Sequence, residues 1–146
     1  MQHFMEQALE QARIAETKGD VPIGAIIVHD GQVIAAAGNR IVQDNDPTAH
    51  AELVALRAAS KILQTPRLTE CDLFVTLEPC PMCAQAIAFA RIRRLFFGAY
   101  DPKGGGVDHG PRIFEQPTCH HIPEVNGGIF EKECASILKD FFSKKR

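Results

Sequence analysis

A chain of 146 residues, 45% of them hydrophobic, is long enough for one compact domain with a single core, so residues 1–146 are read as one domain. A net charge of −2 and a pI near 6.3 exclude a binder that works through bulk positive charge, although a local basic patch stays open. No apolar run is long enough to cross a bilayer, and the acidic residues within Met1–Gly19 leave no signal-peptide core, so a cytoplasmic protein without a membrane partner is expected.

Gln2–Lys18 places Phe4, Met5, Ala8, Leu9, Ala12 and Ala15 on one side at helical spacing, and Gly19-Asp20 ends that helix. Ile23–His29 and Val33–Gly38 are apolar, β-branched runs joined by Asp30-Gly31, a dipeptide suited to a hairpin turn. A loop over Asn39–Pro47 leads into a helix that starts near Thr48, with Asp46 or Thr48 as its cap, and runs towards Leu63. Cys71–Leu77 reads as a buried strand and Cys80–Ala90 as a short helix. Ile92–Ala99 is a fourth strand, Thr118–Ile122 a short fifth, and Gly127–Phe142 the closing helix. Strand–helix–strand steps imply parallel neighbours, while the opening hairpin is antiparallel. The expected fold class is α/β, a three-layer α/β/α arrangement on a mixed, about five-stranded central sheet.

Five cysteines without a secretory signal point to metal binding or buried thiols rather than disulfides. Cys71, Cys119 and Cys134 are widely spaced and read as small apolar packing residues.

Two clusters carry the chemistry: His50-Ala51-Glu52, and Glu78-Pro79-Cys80-Pro81-Met82-Cys83. Cysteines three apart at a helix start share one face, so both sulfurs can reach one ion. The helix amino terminus also favours the thiolate that zinc needs, and Pro79 suits the loop that enters such a helix. No second CxxC exists to complete a structural site, which leaves His50, on the first turn of the preceding helix, as third ligand. Three protein ligands leave a fourth position for water, the arrangement of a catalytic zinc, and zinc acidifies that water. Glu52 points roughly 200° from His50 around a helix. It is therefore a poor co-ligand but a candidate catalytic residue, able to take the water's proton and pass it to a substrate. H-x-E followed by P-C-x-x-C is a known signature of zinc nucleobase deaminases. A zinc-stabilised binding module without catalysis is the rival of a different class, and Glu52 argues against it.

These residues resemble the cytidine deaminase-like superfamily, and further runs resemble its bacterial tRNA-specific adenosine deaminases. Those runs are Val21-Pro22-Ile23-Gly24-Ala25, Gly38-Asn39-Arg40, Asp46–Glu52, Thr76–Cys83, Gly98–Gly105, Glu133-Cys134-Ala135 and Phe141-Phe142. The resemblance implies a homodimer with one zinc per subunit that converts the wobble adenosine of a tRNA anticodon arm, usually an arginine tRNA, to inosine. It implies attack by the activated water on C6, with Glu52 protonating N1 and then the departing amine. By the same resemblance Asn39 would hydrogen-bond the flipped base, Asp101 would lie near a sugar, and the Pro79–Cys80 backbone would help to position the water. Phe141 and Phe142 cannot both face the core of one helix, so one of them, near Lys139, Lys144, Lys145 and Arg146, would offer base stacking or partner packing. Val107–Asn126 departs from the family pattern, and His120 and His121 there read as a strand-end pair, not as ligands. The alternative substrate is guanine or another free nucleobase or nucleotide, deaminated by the same zinc chemistry.

Overall fold

The computed structural model describes residues 2–144. Helix α1 (Gln2–Thr17) buries Met5, Ala8, Leu9, Ala12 and Ala15, the stripe that its spacing predicts. It stops where Gly19 takes a φ of +86° and the Gly19 and Asp20 N–H groups turn back to the Glu16 and Ala15 carbonyls. Strands β1 (Gly24–His29) and β2 (Gln32–Gly38) form the hairpin, with Asp30 and Gly31 both at positive φ. Then follow α2 (Ala51–Leu63), β3 (Cys71–Leu77), α3 (Pro81–Phe89), β4 (Arg94–Ala99), β5 (Glu124–Asn126) and α4 (Glu131–Lys144).

The strands lie in the order β2-β1-β3-β4-β5. β1 is antiparallel to both β2 and β3, whereas β3–β4 and β4–β5 are parallel. Side chains alternate across this mixed sheet. Ala25, Ile27, Leu73, Val75, Leu95 and Phe97 pack with Ala55 and Ala59 of α2 and Ile87 of α3. Ile26, Val28, Phe74 and Phe96 pack with Met5 and Leu9 of α1 and Cys134 of α4. Phe74 and Phe96 stack there with ring centroids 4.5 Å apart. The result is the expected three-layer α/β/α fold, with α1 and α4 on one face and α2 and α3 on the other.

Several boundaries differ from the sequence reading, each for a local reason. The fifth strand is Glu124–Asn126, not Thr118–Ile122. Pro123 cannot donate to a ladder, and pairing starts beyond it, where the Glu124 N–H bonds to the Arg93 carbonyl. His120 and His121 therefore lie in irregular chain, and the His121 ring meets the Ile92 carbonyl at 2.7 Å. α4 begins only at Glu131, because Gly128 and Phe130 hold positive φ values of 82° and 54°. α2 begins at Ala51, and Asp46 closes a local turn onto the Thr48 N–H and hydroxyl rather than capping the helix. All five cysteines are free; Cys71 and Cys134 are fully buried and Cys119 half-buried.

Candidate metal centre and active site

The site forms where two helices begin. His50 is the residue before α2 and Cys80 the residue before α3, both with extended backbone (φ −69°, ψ 150° and φ −70°, ψ 170°). Neither side chain caps its own helix, so both are free to turn to a common point. Pro81 occupies the first position of α3, where a missing N–H costs nothing. Cys83, one turn into α3, is fully buried.

His50 Nδ1 lies 3.7 Å from Cys80 Sγ and 3.6 Å from Cys83 Sγ, and all three ligand atoms fall within 4.8 Å of one another. With Zn–S near 2.3 Å and Zn–N near 2.0–2.1 Å, tetrahedral geometry sets nitrogen and sulfur about 3.6 Å apart. The donor set and its spacing therefore fit a zinc-sized ion. Among the described residues this is the one group of His, Cys, Asp and Glu side chains so arranged.

The electrostatics agree with that geometry. The hydrogen bond from the Cys83 thiol, helped by His50, pulls the Cys80 thiol down to about 4, which favours its thiolate. The same contact and burial push the Cys83 thiol up, and the contact with Cys80 raises His50. Glu52 is 4% exposed, and burial pushes its carboxyl up to about 7. Its charged neighbours are Cys80 and His50, so it borders the cluster. His50 lies outside the helix, so the wheel angle from the sequence reading does not apply. Glu52 reaches the cluster from the first turn of α2.

The other expected site residues are placed as follows. Asn39 is 3% exposed, and its Oδ1 accepts the Ala51 N–H at 2.8 Å, which caps α2 from outside. Asp101 Oδ1 accepts the Lys103 and Gly104 N–H groups, so this carboxylate shapes its own turn. The Pro79 carbonyl accepts the Gly106 N–H, and the Cys80 carbonyl the Ala84 N–H. On α4, Phe141 is buried and Phe142 is 52% exposed, with their rings edge to face. Phe142 and Asp101 line one groove of about 540 Å³ with Tyr100, Lys103 and Leu138. Lys139 and Lys144 are exposed; Lys145 and Arg146 lie outside the described residues.

The roles of two carboxylates, Asp20 and Glu78, do not show in the sequence, although Glu78 opens the Glu78–Cys83 cluster. Buried Asp20 accepts the Val42 and Gln43 N–H groups and Gln43 Nε2, which anchors the loop between β2 and α2. Buried Glu78 gathers the loop after β4 in the same way. Their donors lie more than twenty residues away, beyond the reach of any local pattern.

Residues 1–146 match the MafB19-like deaminase family. The tRNA-specific adenosine deaminase of Agrobacterium fabrum is 58% identical over 144 residues, covering 99% of this chain and 95% of its own. That of Bacillus subtilis is 42% identical over 143 residues, covering 98% and 89%. A solved structure from work on A-to-I editing by tRNA:A34 deaminases at the wobble position of transfer RNA has a TM-score of 0.93 at 58% identity. It covers 94% of this chain and 100% of that one.

Proposed function

We propose, from the premise that this chain belongs to the MafB19-like deaminase family, that it hydrolyses adenosine to inosine at the wobble position of a tRNA anticodon. The observation that carries the chemistry is the convergence of His50, Cys80 and Cys83 at metal-ligand spacing with buried Glu52 beside them. The substrate rests on the relatives, both named as tRNA-specific adenosine deaminases, and free guanine is not favoured. His50, Cys80 and Cys83 would hold one zinc per subunit, which would supply a water acidic enough to act as nucleophile near neutral pH.

The chain's own residues do the rest. Glu52 would take one proton of the attacking water to N1 of the adenine, then take the proton of the hydroxyl formed at C6 and pass it to the leaving amine, so that the C6–N bond breaks and ammonia departs. A carboxyl pushed up to about 7 by burial suits both halves of that exchange. Asn39 offers its amide N–H to the flipped base while its Oδ1 keeps α2 in place. Asp101 stands at the groove near the sugar, and exposed Phe142 gives a neighbouring base a face to stack on, backed by Phe141. The anticodon arm of an arginine tRNA is the proposed partner, and the cytoplasm the proposed location. No helix among the described residues is long and apolar enough to cross a membrane.

A homodimer belongs to the same reading. Phe89 is 71% exposed and Met82 37%, both on α3, and Phe89 lines a groove with Leu53 and Leu56 of α2 and Ala86 of α3. An apolar surface of that kind is what a second copy would cover.

The test offers the purified zinc-loaded protein an anticodon stem-loop RNA with adenosine at the wobble position and, separately, free guanine. Inosine in the RNA with guanine unchanged is the expected result. Xanthine from guanine with unedited RNA would overturn the reading.

A further inference from the structure

We propose that Glu78 is a positioning residue for the substrate, fastening the loop of residues 101–109 to the turn that carries Cys80; this rests on the proposed function. Glu78 is the first residue after β3, two residues before Cys80, and is 1% exposed. Its Oε1 accepts the Asp101 N–H at 3.0 Å and meets His109 Nδ1 at 2.8 Å. Its Oε2 accepts the N–H groups of Val107, Asp108 and His109 at 3.2, 2.9 and 3.2 Å. Four backbone donors and one imidazole, all from one loop, thus satisfy a single buried carboxylate. Burying a charge is costly unless it is paired in this manner, so releasing the loop would leave Glu78 stranded.

The loop is held at the neighbouring residues too. The Gly106 N–H bonds to the Pro79 carbonyl at 2.8 Å. Gly105 lies against Glu78 Oε2 and Gly106 against Pro81, with no room for a Cβ at either position. The outer side of the loop supplies Asp101, Lys103 and Gly104 to the groove that also holds Tyr100 and Phe142. A packing role alone does not require every partner of this carboxylate to come from the loop that walls the groove. Glu78 therefore sets where the groove wall stands relative to the metal ligands.

Glu78→Gln tests this in the zinc-loaded, full-length protein with the anticodon stem-loop RNA. The amide keeps the size of the side chain but turns one acceptor end into a donor facing N–H groups. The expected result is a KM raised tenfold or more, kcat within threefold, and unchanged zinc content. The amide hydrogens of Val107, Asp108 and His109 should exchange faster, while those of α3 do not. His109→Ala, which keeps the carboxylate and the backbone donors, should raise KM in the same direction by less, and it decides the matter if Glu78→Gln does not fold. Zinc loss with faster exchange throughout α3 would overturn the proposal, because Glu78 would then serve the ligand turn. An active wild type with KM unchanged in both variants would overturn it alone; a wild type inactive on the RNA would overturn the functional reading and this proposal together.

Discussion

His50 and Cys80 meet because each stands just before a helix with its backbone extended. A residue at that position usually turns its side chain onto the first N–H groups of its own helix. At α2 that duty is taken by Asn39, twelve residues earlier, whose Oδ1 bonds the Ala51 N–H. This frees the imidazole for an ion. The proposed function gives Asn39 a second duty at the flipped base, and two substitutions divide the two. Asn39→Ala should cost about 1–2 kcal/mol in denaturant unfolding, the price of an unpaired buried N–H at a helix start. Asn39→Asp keeps the acceptor but loses the amide donor, so it should restore most of the stability while deaminase activity stays low. Equal activity in Asn39→Asp and wild type would confine Asn39 to capping. The types and spacing of His50, Glu52, Cys80 and Cys83 were legible in the chain, because ligand chemistry is local. The cap was not, because nothing in Gly38-Asn39-Arg40 says which helix its amide will meet.

Element by element, periodicity carried most of the fold. The α1 stripe and the Asp30-Gly31 hairpin read directly, since burial repeats at 3.6 residues in one and the turn demands positive φ in the other. Three-residue β5 did not read, because so short an edge strand has no alternation and is defined by pairing with β4. The closing helix starts at Glu131 and not at Gly127 because Phe130 holds a positive φ, which has no sequence signature. The α1–β1 contact is closer than any pattern could reveal. At Gly24 a Cβ would collide with the Ala8 carbonyl and lie 2.6 Å from the Ala12 nitrogen. Gly24→Ala should force the helix off the sheet and cost about 1–3 kcal/mol, seen as a lower denaturant midpoint with an unchanged slope. A variant as stable as wild type would mean that α1 is free to shift.

For the whole molecule, one end of the sheet gathers the chemistry and one helical layer remains open. The His50, Cys80 and Cys83 cluster sits where α2 and α3 start, so the partial positive charge of the α3 end favours the Cys80 thiolate there. The same two helices line the groove that holds exposed Phe89, which puts the proposed dimer contact and the candidate active site on one layer. Phe89→Lys should leave folding intact, because the ring is exposed, and should move the protein from dimer to monomer in sedimentation. A wild-type monomer would remove the dimer from the account. The central claim is that His50, Cys80 and Cys83 bind the metal while Glu52 moves protons and binds none. Native mass spectrometry of intact Glu52→Ala protein, taken from a preparation already assayed for inosine formation, addresses it most directly. The account predicts zinc retained at one per subunit with inosine formation abolished; loss of zinc from this variant would make Glu52 a ligand and contradict it.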